Sequence, residues 1–158
     1  MKFVVRTASG TDASIIAGLT RNAWAGKVSV TSSGHRETAV LVAEHLRQGG
    51  GFILLTENEP IGSVRWLPHD TEQDCWEILR MGILPEHRGN SLSQHLLEAI
   101  IHHGIDSGIG ELRLAVRSDQ RKLVDFYAAF EFELAEELEY SHANPLEPAP
   151  LVMRRTLR

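Results

Sequence analysis

At 158 residues, with a net charge of −5, one cysteine and 42% hydrophobic residues, the chain has the size and balance of one ordinary globular domain. The acidic charge and the lack of any basic run argue against a nucleic-acid binder, because phosphate contacts need a concentrated Lys/Arg face, and the longest apolar runs are far too short to cross a bilayer. Cys75 alone can form no internal disulfide, and the N-terminus has no apolar core followed by a small-residue cleavage site, so the reading is a single cytoplasmic domain over 1–158 with no nucleic-acid or membrane partner.

Val4-Val5-Arg6 reads as a short strand, and Thr11 or Asp12 caps a helix running to about Trp24, with Ile15, Ile16, Leu19 and Trp24 as its apolar stripe. Residues 25–34, rich in Gly and Ser, form a polar loop. A second helix is expected over 35–48, with Val40, Leu41 and Leu46 turned inward and Gly49-Gly50-Gly51 ending it. Three strands follow at 52–56, 61–67 and 75–83. The tetrad Glu57-Asn58-Glu59-Pro60 is read as a hairpin turn and 68–74 as a longer connection.

Leu92, Leu96, Leu97, Ile100 and Ile101 recur at helical spacing, which predicts a helix over 91–106. A strand at 111–116 and a helix at 120–130, with Leu123, Phe126, Tyr127 and Phe130 on one side, come next. Two strands near 132–140 and 150–156 flank a Pro-containing loop at 141–148. The order β-α-α-β-β-β-α-β-α-β-β describes an α+β fold: a mixed sheet with helices on its faces.

The segment from Glu77 to Leu97 carries the most chemistry. A strand-like run ends at Pro85, an Arg88-Gly89 turn follows, and a helical pattern starts at once. The first turn of a helix has unsatisfied amide donors and the positive end of the macrodipole, so a phosphate or pyrophosphate can settle there, here at 88–93. This segment resembles the acyl-CoA-binding motif of the GNAT superfamily of N-acetyltransferases, Gln/Arg-x-x-Gly-x-Gly/Ala at the start of the helix after the fourth strand. Arg88 opens the match and Gly89 is a frequent neighbour in the family, with Asn90 and Leu92 at variable positions. Ser91 stands where the first glycine is usual and Ser93 where Gly or Ala is usual. A serine keeps its N–H and adds a hydroxyl, while its Cβ narrows the approach to a ligand.

Other stretches extend the resemblance over nearly the whole chain. Residues 3–12 are similar to the family's opening strand and capped first helix, and 150–157 to its last strand. Asp125-Phe-Tyr-Ala-Ala-Phe-Glu-Phe132 is similar to the late Tyr-x-x-x-Gly-Phe signature, with Glu131 in place of the glycine and Asp119-Gln120 where a capping Asn is common.

The resemblance implies a GNAT-like mixed, mostly antiparallel sheet flanked by helices on both faces, and an acetyl-CoA-dependent N-acetyltransferase. Acetyl-CoA would be the cosubstrate, lying where strands 75–83 and 111–116 splay apart. Its pantetheine arm would pair with backbone groups of Met81, Gly82 and Ile83. Its pyrophosphate would meet Arg88, Gly89, Asn90, Ser91, Leu92 and Ser93, and Gln120 would complete the cofactor contacts. Tyr127, on residue type alone a core aromatic, corresponds to the tyrosine that protonates the departing thiolate in relatives. Glu77 corresponds to a carboxylate that often draws a proton from the amine, or it is simply a strand-start acid; Asp74 and His69 are further candidates for that task.

No metal is expected, since His95, Glu98, His102 and His103 share one helix without a partner set elsewhere, and Cys75 has no histidine placed with it for nucleophilic work. Asp70, Glu72, Asp74 and Glu77 tilt the amine acceptor towards a small cationic molecule. A homodimer is compatible with this reading. A non-catalytic acyl-CoA-binding sensor or scaffold is the alternative that Ser91, Ser93 and Glu131 keep open.

Overall fold

The computed structural model describes residues 2–25, 33–89, 91–141 and 143–158. Among them β1 (Phe3–Thr7), β2 (Gly50–Thr56), β3 (Glu59–Pro68), β4 (Cys75–Ile83), β5 (Glu111–Val116), β6 (Glu133–Leu134) and β7 (Leu151–Thr156) form one open sheet in the order β1-β2-β3-β4-β5-β7-β6. All neighbours pair antiparallel except β4 and β5, which are parallel. The helices are α1 (Ala13–Trp24), α2 (Ala39–Gln48), α3 (Ser93–Asp106) and α4 (Lys122–Ala128).

Alternation along the strands distributes the helices between the two faces. Ile53 of β2 joins Ala13, Ile16, Ala17 and Val42 in a small core beneath α1 and α2. Its neighbour Leu54 points the other way, into a larger core with Leu96, Leu97 and Ile100 of α3, Trp66, Ile78, Leu112 and Met153. The mixed, mostly antiparallel α+β sheet with helices on both faces is therefore as expected, in the expected element order.

Several details differ from the sequence reading. Helix α2 begins at Ala39, capped by the Thr38 side chain, which accepts the Leu41 N–H at 3.2 Å. From that start the stripe that faces the sheet is Val42, Ala43 and Leu46, while Val40 is 82% exposed and Leu41 also faces outward. Ile15 of α1 is likewise exposed, because small residues, Ala13, Ala17 and Ala23, occupy the buried face with Ile16 and Leu19.

The β2–β3 turn is tighter than the expected tetrad. Thr56 pairs with Glu59, and Glu57 and Asn58 both take left-handed φ values, 50° and 69°, as a two-residue hairpin turn requires. The strand expected over 132–140 shrinks to Glu133–Leu134, the edge of the sheet. Glu136, Glu137 and Glu139 provide no apolar alternation to bury there, and a turn closes at once, with the Leu138 N–H donating to Ala135 O at 3.0 Å. Helix α4 is shorter than expected because both flanks tighten into i→i+3 bonds, from Leu123 to Gln120 and from Phe130 to Tyr127.

Asp12 ties β1 to the start of α1. Its carboxylate accepts two Arg6 bonds of 2.9 Å and the Ser9 N–H at 2.9 Å, and the Arg6 hydrogen bonds are the largest cause of its pKa falling to about 2. A depressed carboxylate pKa contributes stability that is present above the unfolded value near pH 4 and lost as pH falls towards 2. With Arg6 half exposed, the contribution is about 1–2 kcal/mol after screening. Asp12→Asn is expected to lower the melting temperature at pH 7 and to flatten the acid loss between pH 4 and 2, as thermal melts across that range would show.

Candidate active site

The site begins with a fault in β4. Ser63 pairs with Gly82 but Arg65 pairs with Leu79, so β4 spends one more residue than β3 over this stretch. The bulge holds Arg80 at φ +56°, an unusual conformation for a residue with a Cβ. Bulges bend a strand and end its pairing, and β4 behaves accordingly. It pairs with β5 only at Cys75↔Glu111, Trp76↔Leu112 and Glu77↔Arg113, although both strands run on to Ile83 and Val116.

The gap opens into a cavity of about 460 Å³, within the size range of small-molecule sites. Residues 78–83 form one wall and 114–118 the other, with Leu123 and Tyr127 of α4 and Tyr140 also lining it. Trp24 closes one side, and glycine is needed where it packs. A Cβ at Gly34 would lie 2.4 Å from the Trp24 ring, and one at Gly82 2.6 Å from it.

The cavity brings together Met81, Gly82, Ile83, Arg88, Gln120 and Tyr127 from the residues singled out in sequence. The Tyr127 ring packs edge-on against Phe126 and Phe132, and its hydroxyl makes no hydrogen bond among the described residues. Burial pushes its pKa up to about 12, so it carries its proton at neutral pH. Arg88 Nη2 donates to the Ala23 carbonyl at the end of α1, and the Arg88 N–H donates to Pro85 O at 3.2 Å.

The turn that follows differs from the expected helix start at 91. Gly89 has φ +87° and Ser91 φ +56°, Leu92 is buried in the core at the N-cap position, and α3 starts at Ser93. Gly89, Ser91, Leu92 and Ser93 thus lie beside the cavity wall rather than on it, at the first turn of α3, whose leading amides have no intrahelical acceptor. Asn90 falls outside the described residues, as does most of the 25–34 loop. Glu131, in place of the expected glycine, takes the left-handed φ of +68° that explains the usual residue, and its carboxylate meets Arg155 at 3.0 Å.

The structure does not bring Glu77 to the cavity wall. Its side chain is fully buried and accepts the Ser141 N–H at 2.9 Å and the Ser141 hydroxyl at 2.5 Å, with His69 Nε2 3.8 Å away. It fastens the 141–148 loop to β4, beside Tyr140, whose hydroxyl donates to Ile78 O at 2.7 Å. The two other acids and bases considered with it are also engaged: His69 Nδ1 accepts the Thr71 and Glu72 N–H groups, and Asp74 accepts from Gly110 and Arg158. Glu72 pairs with Arg113. None of Asp70, Glu72, Asp74 and Glu77 lines the cavity, so the acidic stretch gives no support to a cationic acceptor.

Sequence reading missed Arg80 and Tyr140, both in the cavity wall. A signal for Arg80 was present: it is the one cation inside the apolar run of β4. Beneath the wall, Glu37 Oε1 is shared by Arg65 Nη2 and by Arg80 Nε, the latter at 3.3 Å, and the Glu37 and Arg65 side chains are both 0% exposed.

Among the described residues no group of three or more His, Cys, Asp and Glu could hold a metal ion, and no helix is long and apolar enough to cross a membrane. His103 packs against Trp66, Trp76 and Phe52. Cys75 is buried, and desolvation pushes its thiol up to about 12, far from a reactive thiolate.

Comparison with known proteins adds sequence and fold relationships. The family model for the acetyltransferase (GNAT) family matches residues 21–132. Mycothiol acetyltransferase of Kytococcus sedentarius is 28% identical over 131 residues, 76% of this chain; the chain spans only 44% of that protein's length. Among solved structures, the PaiA N-acetyltransferase of Thermoplasma acidophilum in complex with coenzyme A superposes with a TM-score of 0.78 at 18% identity, covering 99% of both chains. The ribosomal-protein-S18-alanine N-acetyltransferase of Escherichia coli does so with a TM-score of 0.75 at 15% identity, covering 99% of this chain and 94% of the other.

Proposed function

As the chain belongs to the GNAT acetyltransferase family, we propose that it moves an acetyl group from acetyl-CoA to a primary amine by direct attack in a ternary complex. The observation that carries this reading is the unpaired stretch of β4 facing β5, with the Tyr127 hydroxyl free on its wall. The exposed backbone of Met81, Gly82 and Ile83 would hold the pantetheine arm as an added strand. The pyrophosphate would sit at the first turn of α3, on the amides from Gly89 to Ser93, while Gln120 would touch the arm from the far wall. Acetyl-CoA supplies the activated acyl carbonyl.

In this scheme the neutral amine attacks the thioester carbon, and the Met81 N–H donates to the oxyanion that forms on the carbonyl oxygen. The C–S bond then breaks, Tyr127 gives its proton to the departing sulfur, the nitrogen loses its surplus proton to solvent as the amide forms, and solvent returns a proton to Tyr127. Glu77 takes part as an anchor for the loop bearing Tyr140 and Ser141, not as a base in contact with the amine. The amine therefore enters already deprotonated, and turnover should rise with pH until the acceptor's own pKa is passed.

The test is amine-dependent thiol release from acetyl-CoA across a panel of primary amines. Release above the no-amine background supports the transferase. CoA binding with no release from any amine supports the sensor or scaffold reading instead.

The phosphate turn gives a separate expectation. Ser91 pays for a left-handed conformation that costs an L-residue about 1–2 kcal/mol, against about 0.4–1 kcal/mol of extra unfolded-state freedom for glycine. Ser91→Gly should be neutral or slightly stabilising and should bind CoA as well as or better than the parent. Ser91→Asp should weaken CoA binding by repelling the pyrophosphate; unaltered affinity in a titration would place the phosphates elsewhere.

A further inference from the structure

We propose that Arg80 recognises the acceptor, and that the acceptor is an amine carrying a carboxylate, which the Arg80 guanidinium grips inside the cleft. The inference rests on the transferase reading above and names its substrate class. Three observations support it. Arg80 sits on the β4 bulge, held at φ +56°, and a bulge re-aims the side chain it carries. Arg80 lines the cavity, whereas its neighbours in the buried charge cluster, Arg65, Glu37 and Glu77, do not. Its guanidinium is also divided between two environments.

On the buried side, Nε faces Glu37 Oε1 at 3.3 Å. The two Nη groups make no hydrogen bond among the described residues, and 19% of the side chain is exposed, against 0% for Arg65. A desolvated guanidinium with a free edge is an incomplete site. Burial lowers the Arg80 pKa from its ordinary value, so the charge is held at a cost that an incoming anion would offset. The planar fork of Arg matches a carboxylate through parallel N–H bonds, which a point cation cannot reproduce. Glu37 fixes the Nε side of the fork and so orients the Nη edge into the cleft. The arrangement gives a cationic acceptor no countercharge at this wall.

The test uses matched amines that differ only in the anionic group: leucine, leucinamide and isopentylamine, with small and aromatic counterparts, all rates being referred to the neutral amine. The parent is expected to favour the carboxylate member in kcat/KM by about ten- to hundredfold, the worth of a charged hydrogen-bonded contact. Arg80→Met should erase that preference, chiefly through KM, and Arg80→Lys should restore part of it. CoA-induced thermal stabilisation serves as the check that each variant is folded, and Arg80→Gln, equally uncharged, replaces Arg80→Met if the latter is not.

A parent that prefers the amide or the decarboxylated amine overturns the proposal, as does a preference that survives Arg80→Met. If no amine is turned over, the transferase reading fails separately, and titration of the CoA-loaded protein with N-acetyl-leucine and N-acetyl-leucinamide still decides the role of Arg80. Acid-selective binding that Arg80→Met abolishes upholds it. Equal binding of the two, or none, overturns it.

Discussion

Tyr127→Phe is expected to lose about 10²–10⁴-fold in turnover, the usual contribution of a positioned general acid, with little change in melting temperature or CoA affinity. The substitution keeps the ring and therefore its contacts with Phe126 and Phe132. It removes only a hydroxyl that has no hydrogen-bond partner among the described residues, so no buried partner is orphaned. A side chain that served packing alone would leave turnover near the parental value. Steady-state kinetics paired with thermal melts separate the two outcomes, because the general-acid role moves kcat and the packing role can move only stability.

The largest expected effect on stability belongs to Glu37. Its side chain and that of Arg65 are both inaccessible to solvent, and Arg80 leans on the same carboxylate oxygen. Removing one partner of a buried ion pair leaves an uncompensated charge, which typically costs about 3–5 kcal/mol. Glu37→Leu should therefore destabilise by that order in denaturant unfolding. The double variant Glu37→Leu/Arg65→Met should lose less than Glu37→Leu alone, because neutralising both partners removes the desolvation penalty together with the attraction. An additive or larger loss would mean that the pair is not the source of the effect.

The parts of the fold legible in the sequence are those written in local periodicity. β4 and β5 lie where their apolar runs lie, and α3 follows its Leu and Ile spacing apart from its first turn. Local pattern could not say which way α2 rolls, because Val40, Leu41 and Val42 are adjacent and equally apolar; the Thr38 cap sets the phase and buries Val42. It also overextended the strand after Phe132, where five glutamates between 131 and 139 outweigh the β-prone residues around them.

The site was legible in outline for a different reason. Met81, Gly82, Ile83 and Tyr127 were reached through resemblance, and the cavity does bring them together. What the sequence hid depends on contacts between distant segments. Glu37, Arg65 and Arg80 come from α2's approach, β3 and the β4 bulge, so the cluster exists only once the strands are in register. The partners of Glu77 were hidden for the same cause. Its neighbour in space, Ser141, is 64 residues away in the chain and donates to the carboxylate that local pattern offers as a base.

The most direct test of the central claim, that the gap between β4 and β5 holds acetyl-CoA, is a thermal melt with increasing CoA and acetyl-CoA. A ligand that binds only the folded state adds about 2.7 kcal/mol at a hundredfold excess over Kd, so the melting temperature should climb with ligand concentration. A melting temperature unmoved by saturating CoA, acetyl-CoA or longer acyl-CoA would contradict the account at its base.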